Sequence, residues 1–257
     1  MLEKGKFLTA DRPPIPDAFF CTKCRFISYI EDDETIAWFQ ANRPDLFNGT
    51  MLSQIIGCRC IRDAASAEQA RKENANLPNH RPRTMENFKM VSGTHAMVKA
   101  TEEFLRGEGP PVLTLIGITG CGKSHVLEGI GRTTLHQGKS LRYERAGDFV
   151  DYLRHTFQED QTRDIYEVMK WYDSFHMLLI DDIGMESSTN WAVGKLTSLV
   201  DKRISDGSRL AVATNLIDEP EMAKSWGPRL ASRLYGTNTG EVRVIRCEAG
   251  DYRKAGE

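Results

Sequence analysis

The stretch VLTLIGITGCGKS, residues 112–124, runs from an apolar strand-like run into a glycine-rich turn and ends on a lysine and a serine. Its second part, GITGCGKS over 117–124, fits G-x-x-x-x-G-K-[ST], and an apolar strand before it with a helical stretch after it is the context that pattern requires. Gly117, Gly120 and Gly122 allow the backbone to turn successive N–H groups toward phosphate oxygens, and the N-terminus of the following helix adds a positive dipole end. In this reading Lys123 neutralises the β and γ phosphates and Ser124 ligates Mg²⁺, while Ile118, Thr119, Cys121 and His125 complete the nucleotide cradle. The bland alternative is a glycine-rich turn with an incidental lysine.

A second motif argues against that alternative. MLLIDD, residues 177–182, is an apolar strand ending in two carboxylates, which puts one acid near Mg²⁺ and another where a water attacks the γ-phosphate. Asp181 reads as the metal-side acid and Asp182 as the base. Asp182 is one methylene shorter than a glutamate, so slow or partner-dependent ATP hydrolysis is expected. RLAVATN, residues 209–215, ends another strand in Thr214 and Asn215, polar groups able to meet the γ-phosphate or its water if the two strands are neighbours. A simple strand-end turn is the other reading of that pair.

Outward from these motifs the chain alternates. Apolar runs at 112–116, 140–144, 177–180, 209–214 and 242–246 read as strands, and 123–137, 146–158, 164–171, 188–204 and 228–235 carry helical periodicity or helix-start residues. That order predicts a three-layer α/β domain on a five-stranded parallel sheet covered on both faces. With 257 residues, 40% hydrophobic and 27% charged, the chain is neither disordered nor a polybasic coat, since 34 basic residues face 36 acidic ones. The uncharged stretch 110–122 is far short of the ~20 residues that span a bilayer, and the polar start lacks a signal-type apolar core, so a cytoplasmic protein without membrane contact is expected.

The composition shifts at 62–84, which is polar, charged and broken by prolines, and domains are placed at 1–62 and 85–257 with a linker at 63–84. The first segment has sparse apolar clusters and needs a staple. Cys21-x2-Cys24 and Cys58-x-Cys60 supply four thiolates, enough for a tetrahedral zinc site, with a redox pair or unrelated cysteines as the alternatives. Cys121 and Cys247 read as passive thiols.

Two further clusters are open to two readings each. Arg229 and Arg233 lie one helical turn apart in GPRLASRLYG, residues 227–236, as a solvated basic face or as arginines that reach a neighbouring subunit's γ-phosphate. Arg142, Tyr143, Arg145, Phe149, Tyr152, Arg154 and His155 mix basic and aromatic types, which suits single-stranded DNA, yet Phe149 and Leu153 also fit the core face of a helix.

Taken together, GITGCGKS, MLLIDD, VATN, PRLASRLYG and the terminal GDYR resemble the AAA+ ATPases of the DnaC/DnaI helicase-loader group, with the IstB transposition ATPases as near relatives. The resemblance covers about residues 78–257 and implies an ATP- and Mg²⁺-dependent protein that loads a replicative DNA helicase onto single-stranded DNA. It implies that Arg233 is a finger donated across a subunit boundary, giving self-association, that Arg253 senses nucleotide in cis, and that Asn215 is the first sensor. RPRTMENF, residues 81–88, resembles the segment leading into the ATPase fold, and the end of the chain soon after the last strand implies that a C-terminal helical lid is absent. DnaI-type loaders carry an N-terminal zinc domain that docks on the helicase, which the resemblance extends to residues 1–62. The alternative function is an IstB-like ATPase that regulates a DNA transposase.

Overall fold

The computed structural model describes residues 2–4, 18–21, 27–30, 59–158, 165–184 and 190–252. The chain divides into Met1–Ala70 and Arg71–Glu257. In the first unit, β1 (Leu2–Lys4), β2 (Ala18–Cys21) and β3 (Ile27–Ile30) form an antiparallel sheet in that order, with Leu2 opposite Cys21 and Ala18 opposite Ile30. Of the four cysteines assigned to zinc, Cys21 closes β2 and Cys60 lies in the first turn of helix α1 (Arg59–Asn74), while Cys24 and Cys58 lie outside the described residues. No group of three metal-ligating side chains occurs among the described residues. Much of the polar stretch 62–84 is helical, because RDAASAEQARKEN is rich in alanine and long charged side chains that favour a helix without an apolar face.

The second unit is built on five parallel strands: β4 (Val112–Ile116), β5 (Leu141–Arg145), β6 (Met177–Ile183), β7 (Arg209–Thr214) and β8 (Val242–Arg246). Their order in space is β5-β6-β7-β4-β8, so β7 is inserted between the strand that leads into GITGCGKS and the strand that ends in Asp181 and Asp182. This is the three-layer α/β architecture expected from the alternation.

The central strands are mostly apolar because both of their faces are covered, and the two-residue side-chain period divides them between two cores. Val112, Leu178, Ile180, Leu210 and Val212 face one cluster. That side is covered by α4 (Ala146–Gln158), α5 (Ile165–Asp173), α6 (Asn190–Ser205), α7 (Glu219–Trp226) and α8 (Pro228–Tyr235). Leu113, Leu115, Met177, Leu179, Ala211 and Ala213 face the other, beneath α2 (His95–Leu105) and α3 (Lys123–His136). The two alanines of β7 leave room for α3 to descend close to the sheet.

Besides α1, two helices go beyond the sequence expectation. Helix α2 buries Met97, Ala100, Thr101 and Phe104, a spacing of three, four and seven that marks one helical face. Helix α7 starts where Asp218 accepts from the Glu221 N–H at 2.9 Å and Glu221 accepts from the Ile217 N–H at 2.9 Å, a capping arrangement legible in DEPE. Among the described residues no helix follows β8, and none is long and apolar enough to cross a membrane.

Arg203, at the end of α6, is fully buried and ties the layers together through backbone carbonyls. Its guanidinium donates to Tyr172 O, Asp173 O, Phe175 O and Arg209 O at 3.2, 3.3, 2.7 and 3.0 Å, which joins the turn before β6 to the start of β7. Replacing it by methionine leaves these acceptors dry and unpaired at about 1–3 kcal/mol for each one that stays unsatisfied. Arg203→Met is expected to lower the melting temperature by roughly 6–12 °C, the equivalent of about 3 kcal/mol in a domain this size, measured by thermal denaturation.

Candidate nucleotide site

Beyond the C-terminal ends of β4, β6 and β7 lies a cavity of about 980 Å³. Ligands of open α/β sheets bind at this end of the strands. Its wall includes Thr119 through His125, Tyr143, Asp181, Asp182 and Asn215.

The glycine loop takes positive φ at three of its glycines. Gly117, Gly120 and Gly122 have φ of 151°, 87° and 101°, a region closed to side chains with a Cβ, and Gly122 passes directly into α3. A Cβ on Gly120 would fall 1.8 Å from an Asp251 carboxylate oxygen, and one on Gly122 would meet the Phe88 ring at 3.0 Å. Gly117 and Ile118 turn their carbonyls inward, where they accept from Lys123 Nζ at 2.7 and 2.8 Å. Lys123 is only 9% exposed, so its ammonium is already desolvated and held by two exchangeable carbonyls.

Ser124 Oγ donates to Asp181 Oδ1 at 3.1 Å, joining the hydroxyl and the acid to which Mg²⁺ was assigned. Asp181 is 3% exposed. Its neighbour Asp182 has φ of 56°, an uncommon conformation for a residue other than glycine, at an irregularity between Ile180 and Ile183 in the β6 ladder. This turn sends the Asp182 N–H back to Asp181 Oδ1 at 2.8 Å and leaves the Asp182 side chain exposed in the cavity. Strained backbone at such a place holds a side chain in a direction that a regular strand would not give. Asn215 follows β7 directly, between the glycine loop and the two acids, because β7 lies between β4 and β6.

Residues 81–94 close one side. Arg83 pairs with Glu128 at 2.9 Å, and His125 Nε2 lies 2.9 Å from both Thr84 O and Asn87 Oδ1. Phe88 stands edge-on to the His125 ring, with centroids 5.1 Å apart. Burial pushes the Glu128 carboxyl up in spite of Arg83 and Arg132. On the far side, the Tyr252 N–H donates to Gly120 O at 3.1 Å, bringing the chain to the loop one residue before Arg253, which lies outside the described residues.

Three relationships had no sequence signal because they join distant positions. Cys247 donates to Cys121 O at 3.1 Å, and the proximity of the two thiols holds Cys121 below its ordinary value while Cys247 is raised. Arg229 and Arg233 share one acceptor, Asp201, at 2.7 and 2.5 Å, and stand outside the cavity wall. Tyr143 and Phe149, grouped by sequence with single-stranded DNA contacts, are instead buried: Tyr143 bonds Asp181 and Phe149 packs edge-on against Tyr172. Their period-two and period-four neighbours face the same cores, which overrides the aromatic-basic pattern. Arg142 lies over the Trp171 ring, and the His155 side chain is outside the described residues.

Desolvation holds His125 below its usual 6.5, with Arg83 adding to the effect. A ring with a depressed folded-state pKa binds fewer protons in the native state, so stability is complete above 6.5 and declines as pH falls through that value toward the folded pKa. The wild-type melting temperature is expected to fall between pH 7.5 and 5.5 more steeply than that of His125→Gln, read by parallel thermal scans.

Residues 58–234 match the family described as IstB-like ATP binding protein. Among curated proteins, the replicative helicase loader DnaC of Buchnera aphidicola subsp. Schizaphis graminum is 25% identical over 174 residues, 66% of this chain and 69% of that protein. DnaC of Escherichia coli K12 is 25% identical over 160 residues, 61% of this chain and 64% of that protein. The fold is shared with a crystal structure of the DnaC helicase loader at TM-score 0.54 and 18% identity, over 63% of this chain and 96% of that one. It is shared also with DnaI at TM-score 0.54 and 17% identity, over 70% and 98%. AMPPCP-bound DnaA from Aquifex aeolicus aligns at TM-score 0.57 and 21% identity over 66% of this chain, which spans 51% of that structure. With the match extending over most of its length and the glycine loop, acid strand and sheet order in place, the chain belongs to the IstB-like ATP binding protein family.

Proposed function

We propose that this protein is an ATP-dependent loader of a replicative DNA helicase onto single-stranded DNA. The observation that carries the reading is the meeting of Ser124 and Asp181 at 3.1 Å beside the buried Lys123, in a chain whose curated relatives are DnaC loaders.

The residues suit Mg²⁺ and ATP by the chemistry of their donors. The N–H groups of the glycine loop and of the N-terminus of α3 donate to the phosphates, and Lys123 exchanges the carbonyls of Gly117 and Ile118 for phosphate oxygens. Ser124 and Asp181 would hold Mg²⁺, which would supply neutralisation of phosphate charge. Asp182 orients and deprotonates the attacking water, and Asn215 hydrogen-bonds the γ-phosphate or that water from the adjacent strand. Arg253 senses the bound nucleotide from the same chain. Arg233 leaves Asp201 to reach the nucleotide of a second copy, so that ATP orders subunits side by side and hydrolysis releases the helicase.

Residues 1–62 form the helicase-docking module. Cys21, Cys24, Cys58 and Cys60 are a complete thiolate set for tetrahedral Zn²⁺, and metal binding contributes directly to the folding of a small unit. Elemental analysis is expected to find one zinc per chain, with Cys58→Ser reducing it to a small fraction. Less than a tenth of an equivalent in the wild type refutes the zinc assignment.

Size-exclusion chromatography with light scattering tests the main reading. A stable complex with the replicative helicase of the same source is expected with ATP·Mg²⁺, diminished by Lys123→Ala and absent when residues 1–62 are removed. Absence of a complex under every nucleotide condition overturns the loader reading and favours regulation of a DNA transposase, the activity implied by the IstB resemblance.

A further inference from the structure

Asp181 has a partner that neither the glycine loop nor its own strand supplies. β5 is the edge strand beside β6, with Tyr143 opposite Leu179 and Arg145 opposite Asp181. Tyr143 points toward the α3 side of the sheet together with Leu141. It lies two residues below the level of Asp181, and its long side chain carries the phenol up to that level. The ring is buried, and the hydroxyl donates to Asp181 Oδ2 at 2.5 Å.

The carboxylate is therefore held from three sides. Oδ1 accepts from Ser124 Oγ and from the Asp182 N–H, and Oδ2 accepts from Tyr143. A carboxylate bonded through only one oxygen can swing about its Cβ–Cγ bond, whereas anchoring both oxygens fixes its plane. Tyr143 also lines the nucleotide cavity, next to the place where Ser124 and Asp181 meet.

We infer that Tyr143 is a positioning residue for Mg²⁺: its hydroxyl anchors Asp181 Oδ2 so that Oδ1 stays directed at Ser124 and the metal. The inference rests on the Mg²⁺-nucleotide reading above and deepens it, assigning to β5 a part in the metal site. Partners that orient metal ligands typically change metal affinity about 10- to 100-fold when removed.

The test uses the full chain and a fluorescent ADP analogue, titrated with Mg²⁺ and, separately, in excess EDTA. Tyr143→Phe is expected to raise the Mg²⁺ concentration at half-maximal nucleotide binding about tenfold. Affinity in EDTA should stay within twofold of wild type, and binding should recover at high Mg²⁺. An unchanged Mg²⁺ midpoint, or an equal loss with and without the metal, overturns the inference. If the wild type itself shows no Mg²⁺-dependent binding, the nucleotide reading fails first, which separates the two outcomes.

Removing a buried hydroxyl also perturbs packing, so the same substitution is made in a Ser124→Ala background. If both side chains act through Asp181, Tyr143→Phe shifts the Mg²⁺ midpoint much less in this background than in the wild type. Additive shifts assign Tyr143 a general structural role and overturn the proposal.

Discussion

Ser124 and Asp181 are separated by 57 positions, and their contact at 3.1 Å is the constraint around which the site is arranged. It requires α3 to begin at the end of β4, β6 to end at the same height, and β7 to occupy the space between them. It also requires α3 to approach the sheet closely, which Ala211 and Ala213 permit and larger side chains at those places would prevent. Parallel pairing levels the strand ends, so Ile116 beside Thr214 and Thr214 beside Ile183 set the height of the glycine loop against the acids.

The charges of the cavity are arranged so that each can exchange partners. Lys123 rests on loop carbonyls, neutral acceptors that are exchanged at less cost than a buried ion pair is broken. Asp181 is bonded by a hydroxyl, a phenol and an amide, none of which carries a positive charge. Arg229 and Arg233 differ in kind: both are partly exposed and share the half-buried Asp201, an arrangement that holds them in register on one face of α8. Exposed pairs of this sort contribute little to stability and exchange readily.

The cavity owes its walls to segments outside the strand-and-helix alternation. The stretch from Arg83 to Thr94 is secured by Arg83 to Glu128, by His125 to Thr84 and Asn87, and by the Phe88 ring over Gly122. After β8 the chain runs back along it, with the Glu248 N–H on Gly93 O at 3.2 Å and so little space that a Cβ on Gly93 would lie 2.5 Å from Ala249 N. Continuing to Gly120, it brings both walls onto the glycine loop.

Much of this was legible before any coordinates. The five strands, the parallel three-layer plan and the glycine loop follow from local pattern, because side-chain period, glycine placement and strand length are properties of neighbouring residues. Even the overlooked helices were written locally, α7 in the cap from Asp218 to Glu221 and α2 in the spacing of Met97, Ala100 and Phe104. Other features belonged to the tertiary structure alone. The insertion of β7 between β4 and β6, the burial of Tyr143 against Asp181 and of Phe149 in the opposite core, and the shared acceptor Asp201 each join residues far apart in the chain. Local sequence determined which elements form and what chemistry they carry. Which of those groups meet was decided by strand order and by helix packing, because both are settled by the burial of whole faces and not by any single residue's neighbours.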